Sequence, residues 1–232
     1  MSVTKFKINL DKDFKNYLIN FVDTYKNDIV WRCPTHSTRH FIDTSGLESH
    51  ITDNQHPHMN RGRRSITLGD IAKIVGNEKV FDLRESFLDK LFKEHNDLDR
   101  NKFRLTEKYS KTWESSMLSV VYETTDKPSH GVEPHYDNDA KDGWITVRIN
   151  YLVQKAKEGG EIIIDKNLLE NREAGIHLKQ EDVEEDEGYM MMPSKWAHGC
   201  NPVRGKVIRI LLSILMRVEP DYFKNYLEPN YG

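Results

Sequence analysis

The hydrophobic period of this chain changes once, and that change limits the folds open to it. Over the first hundred residues apolar side chains recur at helical spacing. Phe14, Tyr17, Leu18, Phe21, Val22 and Tyr25 form one stripe of an amphipathic helix. A second helix is expected after Thr67, through Leu68, Ile71, Ile74 and Val75, stopping near Gly76-Asn77. A third carries Val80, Leu83, Phe87, Leu88, Leu91 and Phe92. These stripes read as core rather than as cofactor boxes. From about Met117 onward the pattern is one of strands. Runs rich in β-branched and aromatic residues occur at 116–122, 144–153, 160–165, 188–193 and 207–216, separated by turns and not by helices. Many short strands so connected predict a double-sheet jelly roll or a barrel. Helices first and strands later predict an α+β layout with the helices packed on one sheet.

Between the first two helices lies a polar stretch, 33–65, with no clear period. It holds five histidines (His36, His40, His50, His56 and His58) whose spacing matches no zinc pattern. A loop this long inside a compact domain is more often a lid than a structureless accident. Its arginines, Arg61, Arg63 and Arg64, form a small basic knot, too few charges for a nucleic-acid site. Net charge is −3, with an acidic cluster from Glu181 to Glu187, which argues against a nucleic-acid partner. No apolar run is long enough to span a membrane, and Met1 to Lys12 lacks the apolar stretch of a signal peptide. With only Cys33 and Cys200, a disulfide framework is not expected, and a reduced, cytoplasmic setting is.

Against this background one constellation carries chemistry: His135-Tyr136-Asp137, then His198 61 residues after Asp137, and Arg209 11 residues later. Two histidines and one carboxylate can occupy one face of an iron(II) ion, leaving positions for a chelating cosubstrate and dioxygen. About one His-x-Asp triplet is expected by chance in a chain of this composition, and a second is present at His95-Asn96-Asp97. That one ends a helical pattern and reads as a solvated helix terminus. His135 instead lies between two strand-like runs, where ligands can be held stiffly. Arg209 sits inside an almost continuous apolar strand, where an unpaired charge would be very costly. A planar guanidinium there matches a carboxylate through two parallel hydrogen bonds.

Three stretches together resemble the iron(II)- and 2-oxoglutarate-dependent oxygenases, in particular the prolyl-4-hydroxylase-like branch. They are Glu133-Pro134-His135-Tyr136-Asp137; Ile149-Asn150-Tyr151-Leu152-Val153 with Gly159-Gly160-Glu161-Ile162; and Gly188 to Ser194 with His198, Pro202-Val203, Gly205 and Arg209. The resemblance covers about 115–218 and implies a double-stranded β-helix (jelly-roll, cupin-like) core. A mainly helical region, 1–114, with the lid at 33–65, completes a single oxygenase domain over 1–232. It implies His135, Asp137 and His198 as iron ligands and Arg209 as partner of the C5 carboxylate of 2-oxoglutarate. Ser213 has the same strand parity as Arg209 and lines the same wall. Many relatives carry a serine two residues after the arginine, where this chain has Leu211. Arg204 competes with Arg209, from a loop context that suits a surface residue. Tyr122 and Tyr151 match positions of cosubstrate-contacting tyrosines and would look the same as core tyrosines.

Related halogenases carry Gly or Ala where this chain has Asp137, so hydroxylation or desaturation of an unactivated C–H bond is implied, coupled to conversion of 2-oxoglutarate and dioxygen to succinate and carbon dioxide. The compact chain lacks a peptide-docking repeat, which favours a free amino acid or similar small polar molecule as substrate. Arg61, Arg63 and Arg64 are candidates for its carboxylate and Glu123 for its ammonium. The alternatives are a hydroxylase of protein side chains, prolyl or other, and a cupin-like module that binds a metal or ligand without turnover; nucleic-acid demethylation comes third. Oligomeric state is not legible.

Overall fold

In the computed structural model of the protein, residues 4–7, 11–25, 63–95, 97–105, 116–121, 132–135, 143–165, 180–181, 183–205 and 208–231 are described. Three helices lie where the apolar stripes place them: α1 (Lys12–Tyr25), α2 (Leu68–Val75) and α3 (Lys79–Glu94). Thr67 caps α2 by accepting from the backbone N–H of Asp70 at 3.1 Å, satisfying a donor the first turn would otherwise leave bare. Gly76 closes it with φ +75°, a left-handed conformation that favours glycine. Helix α3 ends at His95, so the second His-x-Asp triplet falls at a helix terminus, with Asp97 exposed.

Among the described residues thirteen strands occur: β1 (Thr4–Lys7), β2 (Arg63–Thr67), β3 (Phe103–Leu105), β4 (Ser116–Val121), β5 (Val132–His135), β6 (Ile145–Gln154), β7 (Glu158–Gly159), β8 (Ile162–Asp165), β9 (Gln180–Glu181), β10 (Glu187–Met191), β11 (Ala197–Cys200), β12 (Val203–Arg204) and β13 (Arg209–Val218). The larger sheet has the order β1-β10-β6-β13-β4-β2, with β3 added beside the far end of β13. A smaller sheet has the order β5-β11-β8-β9, and β12 pairs with β7. Every pairing among the described residues is antiparallel.

Two features depart from the sequence reading. The N-terminal region is not only helical: β1 and β2 sit at the two ends of the larger sheet's strand order. The stretch expected to be irregular over 33–65 is a strand in its last three residues, Arg63 to Ser65. The remainder of that stretch lies outside the described residues.

Register decides which side chains share a face, because directly opposed residues of an antiparallel pair project the same way and their chain neighbours the other way. Leu212 is opposite Tyr151 on one side and Leu118 on the other, whereas Ser213 is opposite Asn150 and Met117. The face carrying Tyr151, Leu212 and Leu118 packs on the helices. Phe14 of α1 meets Phe87 of α3 with ring centroids 6.4 Å apart, and Phe87 meets Tyr151 edge-on at 5.4 Å. One contiguous apolar cluster runs from these helices through the larger sheet, the burial that dominates stability in such an arrangement. The opposite face carries Ser213, Asn150 and Tyr189, all buried. Among the described residues no helix is long and apolar enough to cross a membrane.

Candidate functional site

The smaller sheet places the two histidines of the sequence motif together. His198 on β11 is directly opposite His135 on β5, and on its other side opposite Ile164 of β8. Strand β11 reaches this position through a tight reversal after β10, in which the N–H groups of Lys195 and Trp196 both donate to the Met192 carbonyl, at 3.1 and 2.9 Å. Proline at 193 ends β10, and buried Trp196 anchors the turn.

The His198 ring is oriented by its own chain. Its Nδ1 lies 3.1 Å from the Trp196 carbonyl oxygen, an atom that only accepts, so Nδ1 carries the proton. In the neutral form of a ring held this way the lone pair sits on Nε2. A histidine that donates one nitrogen to a backbone carbonyl and offers the other is the arrangement metal-binding histidines use. The donor chemistry here therefore fits a metal. His135 is described by its backbone alone, and Asp137 lies outside the described residues.

On the larger sheet Arg209 opens β13. Only 4% of it is exposed, while Arg204 on β12 is exposed. The start of β13 is held by Gln154, whose Nε2 donates to the Ile208 carbonyl at 2.6 Å. Gly160 makes room for the arginine: a Cβ there would stand 2.7 Å from Arg209 Cδ and 3.3 Å from its Nε. Gly160 has φ +79° and donates its N–H to the Pro202 carbonyl at 3.2 Å. Among the described residues no carboxylate pairs with Arg209. Ser213 lies four residues on, on the same face of β13, and is buried.

The structure adds a residue that the sequence reading passed over. Tyr189 of β10 is opposite Asn150 of β6, which is opposite Ser213 of β13, so a phenol, an amide and a hydroxyl share one rung. Burial pushes the Tyr189 phenol up to about 12, against the opposing pull of the nearby Arg209 and Arg148 guanidinium groups. The phenol thus keeps its proton and stays a donor beside a buried cation.

The other expected site residues are placed as follows. Tyr151 is not with Arg209 and Ser213: it lies on the helix-packed face, and its hydroxyl donates to Asp186 Oδ1 at 3.1 Å. Its expected contact with the cosubstrate is withdrawn on that geometry, in favour of the core-tyrosine alternative. Arg63 and Arg64 lie in β2, not in a loop, opposite Val121 and Val120. Val121 is in turn opposite Arg209, so Arg63 occupies the same rung two strands away. Tyr122, Glu123 and Arg61 lie outside the described residues.

No protein-family model matches the chain, and no curated protein matches it in sequence. Solved structures do match. A prolyl hydroxylase from Trichoplax adhaerens, in complex with a hypoxia inducible factor oxygen degradation domain peptide, has a TM-score of 0.56 at 14% identity, covering 96% of this chain and 86% of that one. HygX from Streptomyces hygroscopicus, with nickel, 2-oxoglutarate and hygromycin B bound, has a TM-score of 0.52 at 12% identity, covering 93% and 83%. The non-heme alpha ketoglutarate dependent epimerase SnoN has a TM-score of 0.50 at 9% identity, covering 92% and 77%. The chain has the fold of the iron- and 2-oxoglutarate-dependent oxygenases. That is the superfamily the three sequence stretches resemble, and it includes the prolyl hydroxylases. The fold alone hosts several outcomes, hydroxylation and epimerisation among them.

Proposed function

We propose that the protein is an iron(II)- and 2-oxoglutarate-dependent dioxygenase with a double-stranded β-helix core, hydroxylating an unactivated C–H bond of a free amino acid or similar small polar molecule. The observation that carries this reading is the pairing of His198, its Nδ1 fixed on a backbone carbonyl, directly opposite His135. Asp137, two residues beyond His135, completes the ligand set. Iron held by these three residues supplies dioxygen activation, coupled to oxidative decarboxylation of 2-oxoglutarate to succinate and carbon dioxide. The chain's own residues bind and orient. Arg209 meets the distal carboxylate of 2-oxoglutarate in a buried setting, where a bidentate charged pair is strong and directional. Ser213 lines the same wall. The Trp196 carbonyl holds the His198 ring in one tautomer. Arg61, Arg63 and Glu123 are the proposed contacts for the carboxylate and ammonium of the substrate; Arg64 alternates with Arg63 along β2 and falls in register with the helix-packed face.

A protein side chain as substrate is the second reading, favoured by the peptide bound to the Trichoplax prolyl hydroxylase; the small antibiotic bound to HygX favours the first. The experiment that separates them is incubation of iron-loaded protein with 2-oxoglutarate and either cell metabolites or a peptide library. A 16-Da gain on a metabolite supports the first reading, and on a peptide the second. Succinate formed with neither product modified contradicts both substrate assignments. No succinate under any condition leaves the cupin-like binding module.

A further inference from the structure

We infer that Arg148, Arg217 and Arg104 form an anion-binding subsite separate from Arg209, at the other end of the same sheet face. It receives a carboxylate or phosphate group of the substrate. The inference rests on the oxygenase reading and deepens it, by making the small polar substrate an acidic one.

Register gathers the three arginines. Arg217 of β13 is directly opposite Arg104 of β3 on one side and Thr146 of β6 on the other. Arg148 is opposite Leu215, so it stands diagonal to Arg217, within reach of a long side chain. All three share the face of Arg209 and Ser213, because alternate positions of a strand project the same way. Side-chain contacts agree with this placement. The Arg148 guanidinium acts on the Tyr189 phenol, and Arg104 lies over the Trp144 ring, 3.7 Å from its centroid. Arg217 donates through Nη1 to the Thr146 hydroxyl and approaches the Trp144 carbonyl, which fixes one edge of its guanidinium. Arg217 is 3% exposed, Arg148 half-buried and Arg104 exposed, so positive charge runs from the interior out to the surface. Like charges directly opposite one another on a sheet destabilise it, more so where one of them is buried. An anion bound between them offsets that cost, and guanidinium forks match the oxygens of a carboxylate or phosphate.

The subsite is distinct from the cosubstrate arginine and close to the histidines. Arg217 lies at the far end of β13 from Arg209, about 26 Å away at 3.3 Å per residue, too far for one small cosubstrate to meet both. Arg63 shares the Arg209 rung and so belongs to that other end. Met191, opposite Arg148, ends β10, and the tight reversal that follows it delivers His198. An anionic group held here therefore fixes the substrate at the histidine end of the face.

Calorimetry tests this on the iron-loaded protein saturated with 2-oxoglutarate and without oxygen, so that Arg209 is already occupied. The probes are inorganic phosphate and malonate. At least one should bind with a dissociation constant of about 1 mM or tighter; tighter phosphate identifies a phosphate group, tighter malonate a carboxylate. Arg148→Gln should weaken that probe about 10- to 100-fold, as loss of a hydrogen bond to a charged group does. Arg104→Gln, at an exposed position, should weaken it as well, and Arg204→Gln should not. No binding to the unaltered protein, or binding that Arg148→Gln and Arg104→Gln leave unchanged, overturns the subsite. Metabolites that an anion exchanger retains should then raise succinate formation. Stimulation by the unretained metabolites alone, or by neither set, contradicts the acidic substrate. If the protein binds no 2-oxoglutarate at all while the probes still respond to the two arginine variants, the oxygenase reading fails and the anion site stands.

Discussion

At the scale of single residues, the site depends on where charge and hydrogen-bonding groups are buried. The burial of Arg209 was legible in the sequence, because it lies within an otherwise apolar strand. Arg209 is buried beside Gly160 whereas Arg204 is exposed, which supports Arg209 as the proposed anchor. Arg209→Ala should accordingly raise the apparent constant for 2-oxoglutarate by the equivalent of about 2–5 kcal/mol, as truncation of a buried charge pair does. Arg204→Ala should leave it nearly unchanged, and steady-state kinetics on the two variants would show the reverse ranking if Arg204 were the anchor. Tyr189 was not legible. The run Ile149-Asn150-Tyr151-Leu152-Val153 is buried on both faces, so no polar alternation reveals which tyrosine faces inward. Because its folded pKa of about 12 lies above the ordinary tyrosine value of about 10, the sign of its pH effect is fixed. The group has no such effect below about pH 10, and stability is lost as pH rises from there through about 12, by about 2 kcal/mol. Urea unfolding of the protein and Tyr189→Phe across that range should show the variant losing less; parallel curves would mean the phenol is not buried.

At the scale of elements, the strong periods were read correctly and the short ones were not. Helices α1, α2 and α3 and the long strands β6 and β13 carry enough residues for a stripe or run to emerge above noise. Strands β1 and β2 have four and five residues and a polar composition, with no alternation to mark them. The turn joining β7 to β8 was visible as Gly159-Gly160, and the structure gives its reason. Both residues have positive φ, and a Cβ on Gly159 would run into the Pro202 carbonyl oxygen, part of the backbone and unable to yield. Gly159→Ala should therefore cost several kcal/mol by combining left-handed strain with a backbone clash, measured as a large fall in the urea midpoint. A near-neutral result would show that the β7–β12 pairing can shift. Gly160→Ala meets mainly a side chain, so it should act on 2-oxoglutarate affinity through Arg209.

At the scale of the whole molecule, the helices cover one face of the larger sheet and leave the other, polar face to Arg209, Ser213, Asn150 and Tyr189, while the smaller sheet brings His198 opposite His135. This division of labour was implied by helical spacing followed by strand runs; the pairing order and the face of each residue needed the structure, since register is set by contacts far apart in sequence. The central claim, that His135, Asp137 and His198 hold iron for turnover of 2-oxoglutarate, is tested most directly by measuring succinate formation and bound iron together in the protein and its three single alanine variants. Iron-dependent succinate is expected from the unaltered protein, with turnover abolished in each variant while circular dichroism stays native. Near-normal turnover and iron content in any one of the three would contradict it.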